Sequence, residues 1–258
     1  MDRIAEIFQR CRNGRRRALV IFTVAGFPSL EASEAAVETA VANGADIIEL
    51  GVPFSDPMAD GAVIAAAGVR AIEAGCTLVK VLELAGRLRS RHPETGLILF
   101  SYMNPMYHYG IDALCGELKR IGMDGILAVD LPLEERGELL VPCRAAGLHL
   151  IPLLAPTTPP ERAARILNGA TGFAYFVCVK GVTGVRSGIP PELFDELRRI
   201  RSVSGIPVVA GFGIGSGDSA AKIAPEADGV VVGSAFVRQL ESGDPAGLTA
   251  ELARAVRL

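Results

Sequence analysis

Several residue patterns that mark metal, membrane or nucleic-acid proteins are missing from this chain of 258 residues. Its five cysteines, Cys11, Cys76, Cys115, Cys143 and Cys178, are odd in number and include no Cys-x-x-Cys pair. Scattered free thiols point to a reducing cytosol rather than a disulfide framework. The three histidines, His92, His108 and His149, lie far apart with no zinc spacing, so no metal site is expected. No apolar run approaches the ~18 residues of a membrane helix. Residues 1–17 are too highly charged for a signal peptide. A cytoplasmic protein without membrane contact is therefore expected. A net charge of −3 gives no global attraction to nucleic acid. The one basic cluster, Arg10, Arg12, Arg15, Arg16 and Arg17, reads as a solvated helix end and loop. Linkers and low-complexity segments are absent as well, so residues 1–258 are expected to form one domain.

What is present is a series of short apolar runs. They are Ala18-Leu-Val-Ile-Phe-Thr-Val24, Asp46-Ile-Ile-Glu-Leu50, Gly96-Leu-Ile-Leu-Phe-Ser101 and Gly125-Ile-Leu-Ala-Val129 in the first half. Leu148-His-Leu-Ile-Pro-Leu153, Phe173-Ala-Tyr-Phe-Val177, Ile206-Pro-Val-Val-Ala210 and Gly229-Val-Val-Val232 follow. Most are continuously apolar rather than alternating, as strands buried on both faces are. Between them lie Ala-, Glu- and Arg-rich segments with helical spacing, at 30–43, 62–74, 110–121, 134–145, 159–168 and 190–201. The span 62–95 has room for two helices, split near Gly75-Cys-Thr77. Eight strand–helix units predict an α/β fold, a closed (β/α)8 barrel of the TIM type. A doubly wound open sheet is the rival, but strand number and even spacing favour the barrel. An extra N-terminal helix with Ile4, Ile7, Phe8 and Cys11 on one face is expected to cover the barrel's bottom.

The most informative stretch is Glu49-Leu-Gly-Val-Pro-Phe-Ser-Asp-Pro-Met-Ala-Asp-Gly61. Glu49 ends an apolar strand, where a carboxylate is costly unless paired or used. The loop after it is stiff and polar and carries Asp56 and Asp60. Active groups of such barrels sit at the carboxyl ends of strands. Glu49 and Asp60 are thus expected over one cavity, in different surroundings that let them divide acid and base work. The competing reading for Asp60 is a helix N-cap for the segment from Ala62. Three glycine segments follow the last three strands: Gly181-Val-Thr-Gly184, Gly211-Phe-Gly213 and Gly233-Ser234. Glycine lets backbone N–H groups approach an anion, and Gly233-Ser234 opens a short helix from Ala235 to Leu240. Together they predict a phosphate cradle, to which Lys180 and Arg186 are not assigned.

With the ordered segments Tyr102-Met-Asn-Pro105, Asp130-Leu-Pro132, Ala155-Pro-Thr-Thr158, Gly181-Val-Thr-Gly184, Gly211-Phe-Gly-Ile214 and Gly233-Ser-Ala235, the 49–61 stretch closely resembles the tryptophan synthase α subunit family over nearly the whole chain. The resemblance implies reversible retro-aldol cleavage of indole-3-glycerol phosphate to indole and glyceraldehyde 3-phosphate. It makes Glu49 the principal acid/base and Asp60 the acceptor for the indole N–H. It places the phosphate at Gly184, Gly213, Gly233 and Ser234. It matches Tyr175 to a tyrosine lining the site and Thr183 to a loop threonine that engages Asp60. Phe22, Phe100, Leu127, Val129 and Phe212 are candidates for the apolar indole slot.

A β subunit in an α2β2 assembly is the implied partner, with pyridoxal phosphate expected only there and no cofactor in this chain. A free-standing lyase releasing indole, a weakly catalytic module that regulates a partner, and a phosphosugar isomerase on the same fold remain as alternatives. The last leaves the 49–61 stretch without a role. Phe27, Ala62, Ala65 and Cys178 depart from the usual family pattern without removing a proposed catalytic group.

Overall fold

The computed structural model describes residues 2–177, 191–211 and 213–258. The strands are β1 Ala18–Val24, β2 Ile47–Gly51, β3 Gly96–Ser101, β4 Gly125–Ala128, β5 His149–Leu150, β6 Leu153–Leu154, β7 Ala174–Val177, β8 Val208–Gly211 and β9 Gly229–Val232. All paired neighbours are parallel, in the order β5-β4-β3-β2-β1-β9-β8-β7-β6. The two ends of this order, β5 and β6, are consecutive pieces of one apolar run. Ile151 N–H donates to Ile126 O at 2.8 Å on one side, and Tyr175 N–H donates to Pro152 O at 2.9 Å on the other. The run therefore touches both neighbours and closes the ring as its fifth strand. Pro152 has no N–H to give to a ladder, which is why that strand is cut in two.

The helices among the described residues are α1 Arg3–Asn13, α2 Leu30–Ala42, α3 Ala62–Glu73, α4 Leu78–Arg91, α5 Met103–Tyr109 and α6 Ile111–Ile121, then α7 Gly137–Ala146, α8 Pro160–Leu167, α9 Pro191–Val203, α10 Gly217–Ile223, α11 Ser234–Ser242 and α12 Pro245–Ala255. The fold is the expected (β/α)8 barrel with an additional N-terminal helix. The break between α3 and α4 falls at residues 74–77, where Thr77 accepts a hydrogen bond from Lys80 N–H and starts the second helix. No single described helix is long and apolar enough to cross a membrane.

Alternation along each strand divides the core in two. Ile48 and Leu50 point outward into a layer under the helices, while Ile47 points into the barrel. The interior cluster takes Val20, Ile47, Ile98, Leu127, Ile151, Phe173, Val209 and Val231, one from each barrel strand or the residue leading into it. Ile4, Ile7, Phe8 and Cys11 of α1 belong to the same cluster. Phe8 lies 6.0 Å from Phe173, ring centroid to ring centroid. The N-terminal helix thus plugs the bottom of the barrel, as its apolar face predicts.

A second device closes the bottom, and it occurs three times. Asp46, Asp124 and Asp228 each stand one residue before β2, β4 or β9. In each, the aspartate N–H donates to the carbonyl of a residue on a neighbouring strand, and its carboxylate accepts that residue's N–H. Asp46 exchanges with Leu19, Asp124 with Leu97, and Asp228 with Val208. The outer carboxylate positions are taken by arginines. Arg16 binds Asp46 in two hydrogen bonds at 2.6 and 2.7 Å, Arg3 and Arg89 hold Asp124, and Arg201 meets Asp228 at 2.8 Å. Arg17 lies 3.9 Å from Asp228 and donates to Ala224 O. Arg16 and Arg17 are therefore not solvated ends, as the sequence suggested, but part of the barrel's lower rim. Charge alone could not distinguish them from Arg12 and Arg15, because the partners lie far away in sequence.

Asp124 is the most enclosed of the three, with its side chain 7 % exposed. Asp124→Ala leaves the Leu97 N–H unpaired and takes the carboxylate from Arg3 and from Arg89, which keeps its backbone acceptors, and it should cost about 1–3 kcal/mol in urea unfolding while leaving the C-terminal face intact. A loss under about 1 kcal/mol would mean that the rim does not hold the barrel.

Candidate active site

Among the described residues, Glu49 is the only buried carboxylate inside an otherwise apolar stretch of the barrel strands. It sits on β2 beside Phe22 on one neighbouring strand and Ile98 on the other. Its residue is 0 % exposed, and neither carboxylate oxygen has a hydrogen-bond partner among the described residues. Burial alone pushes its pKa from 4.5 up to about 8. Glu49 therefore carries a proton at neutral pH and lies near the pH at which it can give or take one.

Glycines on β2 and β8 make room for the aromatic rings above it. A side chain at Gly51 would strike the Phe22 ring at 2.7 Å, and one at Gly211 would strike the Tyr175 hydroxyl at 2.8 Å. The upper layer is thus built of aromatics on β1, β3 and β7 with glycines between them on β2 and β8. Phe22 and Phe100 meet edge to face at 4.8 Å. Tyr175 is half-buried by its accessible surface, and desolvation, with the nearby charges of Glu49 and Asp60, holds its hydroxyl well above its usual pKa. Phe22, the register partner of Glu49, lines the same cleft as Asp60, while Glu49 itself lies beneath that lining.

Asp60 comes from the loop between β2 and α3. It does not cap α3: the N-cap is Gly61, with no side-chain hydrogen bond. Its carboxylate accepts a hydrogen bond of 3.2 Å from the Tyr102 hydroxyl, which itself accepts one of 2.9 Å from Ala59 N–H. Burial raises the Asp60 pKa, and the Tyr102 hydrogen bond opposes that rise. The Tyr102 ring also packs on Phe54, 5.1 Å away. A small cleft brings Asp60 and Tyr102 together with Phe22, Phe100, Ile64 and Ala65.

Of the residues singled out in the sequence, Phe22, Phe100 and Asp60 line this cleft. Leu127 is fully buried in the barrel core, and Val129 and Tyr175 pack against that core. Gly213 has φ +65°, and no described residue comes within 4 Å of where its side chain would stand. Ser234 opens α11, whose N-cap Gly233 makes no side-chain hydrogen bond. Its first N–H groups thus have no side-chain acceptor. Thr183, Gly184 and Phe212, with Cys178, Lys180 and Arg186, lie outside the described residues. Tyr102 was not singled out, although the 102–105 segment was. Its only signal in the sequence is a tyrosine closing the run 96–101, at the end of a barrel strand.

The comparisons agree with one another. The family profile described as tryptophan synthase alpha chain matches residues 8–256. The tryptophan synthase alpha chain of Zymomonas mobilis is 47% identical over 241 residues, covering 93% of this chain and 88% of the relative. That of Geobacter sulfurreducens is 44% identical over 253 residues, covering 98% and 96%. A chain of tryptophan synthase from Mycobacterium tuberculosis superposes with a TM-score of 0.93 at 38% identity, covering 100% of this chain and 99% of that one.

Two outcomes follow from the electrostatics. Below the unfolded value of 4.5, Glu49 holds its proton whether folded or not. As pH rises toward about 8, the unfolded chain releases that proton and the folded one keeps it. Stability should therefore fall across this window and level off above it. Glu49→Gln removes the dependence, so the stability difference between variant and wild type should swing by about 4 kcal/mol from pH 5 to 9. Parallel stability curves would mean that the carboxyl is solvated. Tyr102→Phe should raise the Asp60 pKa further, read by carboxyl NMR titration, and cost about 1 kcal/mol through the orphaned Ala59 N–H. An unmoved Asp60 titration would show that the hydroxyl is not its partner.

Proposed function

The chain belongs to the tryptophan synthase alpha chain family, and we propose that Glu49 and Asp60 carry out the cleavage of indole-3-glycerol phosphate that is its activity. The observation that carries this assignment is the fully buried, unpartnered Glu49 carboxyl with its pKa near 8. Breaking the bond between the indole ring and the glycerol chain first requires protonation at ring carbon 3, which sacrifices aromaticity. Neutral Glu49 supplies that proton. The ring then carries positive charge at its N–H, and the Asp60 carboxylate stabilises it there. Glu49, now an anion in a dry site, takes the proton from the side-chain hydroxyl. The carbonyl of glyceraldehyde 3-phosphate forms, the carbon–carbon bond breaks, and its electron pair restores the indole. Glu49 ends as it began, so one group serves as acid and then as base.

The phosphate belongs at the other side of the mouth, at Gly213, Gly233 and Ser234, with Gly184 beyond the described residues. The clearance from described residues at Gly213 and the uncapped start of α11 support this. Phe22 and Phe100 offer the flat apolar walls that indole needs. The enzyme works with a β subunit, and an α2β2 assembly is the form we expect. Met58, 95 % exposed on the loop that carries Asp60, is an apolar contact available on that face.

Indole release tests the assignment directly, and the absence of tryptophan from the chain keeps protein fluorescence low. Glu49→Gln should lose about 10²–10⁴-fold in kcat or more with substrate binding retained. Asp60→Asn should lose mainly kcat, because its charge matters most once the ring is cationic. Near-normal turnover in Glu49→Gln would remove it from the chemistry.

A further inference from the structure

Outside the barrel, α6 and α7 pack side by side over β4 and bring two thiols together. Cys115 and Cys143 stand 28 positions apart in sequence, and their sulfurs are 4.0 Å apart. Both are buried, at 2% and 0% exposure, among Leu114, Leu118 and Leu139. The other two described cysteines are placed differently: Cys11 lies in the α1 plug, and Cys76 donates to Ala25 O. We propose that Cys115 and Cys143 are a redox-modification site, oxidised by small peroxides to a disulfide that staples α6 to α7.

Three observations carry the proposal. The sulfurs are already in contact at 4.0 Å, within about 2 Å of the bonded separation of about 2.05 Å. The two sulfurs share a hydrogen bond in which either can be the donor; with Cys143 donating, the bond favours the thiolate at Cys115 while burial opposes it, which makes Cys115 the attacking group. Pro142 lies inside α7, next to Cys143. It removes a backbone donor from that turn and weakens the helix locally, and local opening there is the route the proposal requires for a small oxidant to reach the covered sulfurs.

The chemistry balances with hydrogen peroxide as oxidant. The Cys115 thiolate attacks one peroxide oxygen, the O–O bond breaks, and hydroxide leaves as water, giving a sulfenic acid. The Cys143 sulfur then attacks the Cys115 sulfur. The S–S bond forms, the S–O bond breaks, and a second water leaves with the thiol proton. The two thiols give up two electrons and the peroxide receives them. The closed loop contains β4 and the segment 129–136, so the cross-link restricts the unfolded chain over that span. Neither sulfur lines the cleft, so cleavage should be unchanged.

The test treats the full chain with hydrogen peroxide, alkylates the remaining thiols, and maps peptides without reduction. The expected result is a peptide pair joined through Cys115 and Cys143, with a Tm raised by about 5 °C or more and restored by dithiothreitol. Indole release should stay within about 2-fold of the reduced enzyme, since the cleft is untouched. Cys115→Ala and Cys143→Ala should each lose both the cross-link and the Tm shift. Recovery of both thiols as separate alkylated or over-oxidised cysteines in the wild type would overturn the proposal. So would a reversible Tm shift that survives in either variant. The wild-type map decides the matter even if a variant folds poorly.

Discussion

A carboxyl group held in the barrel interior without a hydrogen-bond partner is the constraint around which the molecule is arranged. Glu49 sits on a strand buried on both faces, and its oxygens have no partner among the described residues. Such a group persists only if the surrounding structure over-determines its place. Strand alternation does part of this, since a one-residue slip of β2 would turn Glu49 outward and Leu50 inward. Five registered pairs with β1 and five with β3 prevent that slip. The cost of burying an acid is also limited by its ability to stay neutral, which is the same property that makes it useful.

The stability that tolerates this site is built at the opposite end of the barrel. The repeated aspartates before β2, β4 and β9 tie neighbouring strands together through their carboxylates. The α1 plug then excludes water from below. These features lie at the N-terminal ends of the strands, away from the loops that carry Asp60 and Tyr102. The division lets the upper loops vary in composition without loosening the ring beneath them. It also explains why α1 is rich in both large apolar and basic residues: one face fills the barrel, while Arg3 reaches Asp124 on the rim.

Much of this was legible in the sequence, for physical reasons that differ from residue to residue. Continuous apolar runs mark strands covered on both faces, so the barrel could be read from them. Glu49 was visible because a carboxylate interrupts such a run. The cut at Pro152 was also present as a proline inside a strand, but closure around it depends on hydrogen bonds to Ile126 and Tyr175 that no local pattern encodes. The rim aspartates share a position just before an apolar run, yet their arginine partners come from distant segments. The short helices α5, α10 and α12 were not foreseen. The first follows Tyr102 directly, and its Met103 N–H is held by Asp130 from the next strand's loop. Tyr102 itself was hidden for the same reason: its partners, Ala59 and Asp60, lie 43 and 42 positions away.

The two carboxylates show why equal chemistry at two positions would not serve. Burial raises both. Glu49 has nothing to offset it, whereas Asp60 receives the Tyr102 hydroxyl, which favours its charged form. Their titrations are thereby driven apart, and roles separate with them. A donor placed on Glu49 would stabilise its anion and strip it at neutral pH of the proton that the first step uses. Removing the donor from Asp60 would favour its neutral form, which cannot offset a cation on the indole ring. Tyr102 also fixes Ala59, so the hydroxyl that tunes Asp60 is the one that positions its loop. Charge and geometry at Asp60 are consequently coupled through one hydroxyl, which favours the anion and anchors the loop at Ala59.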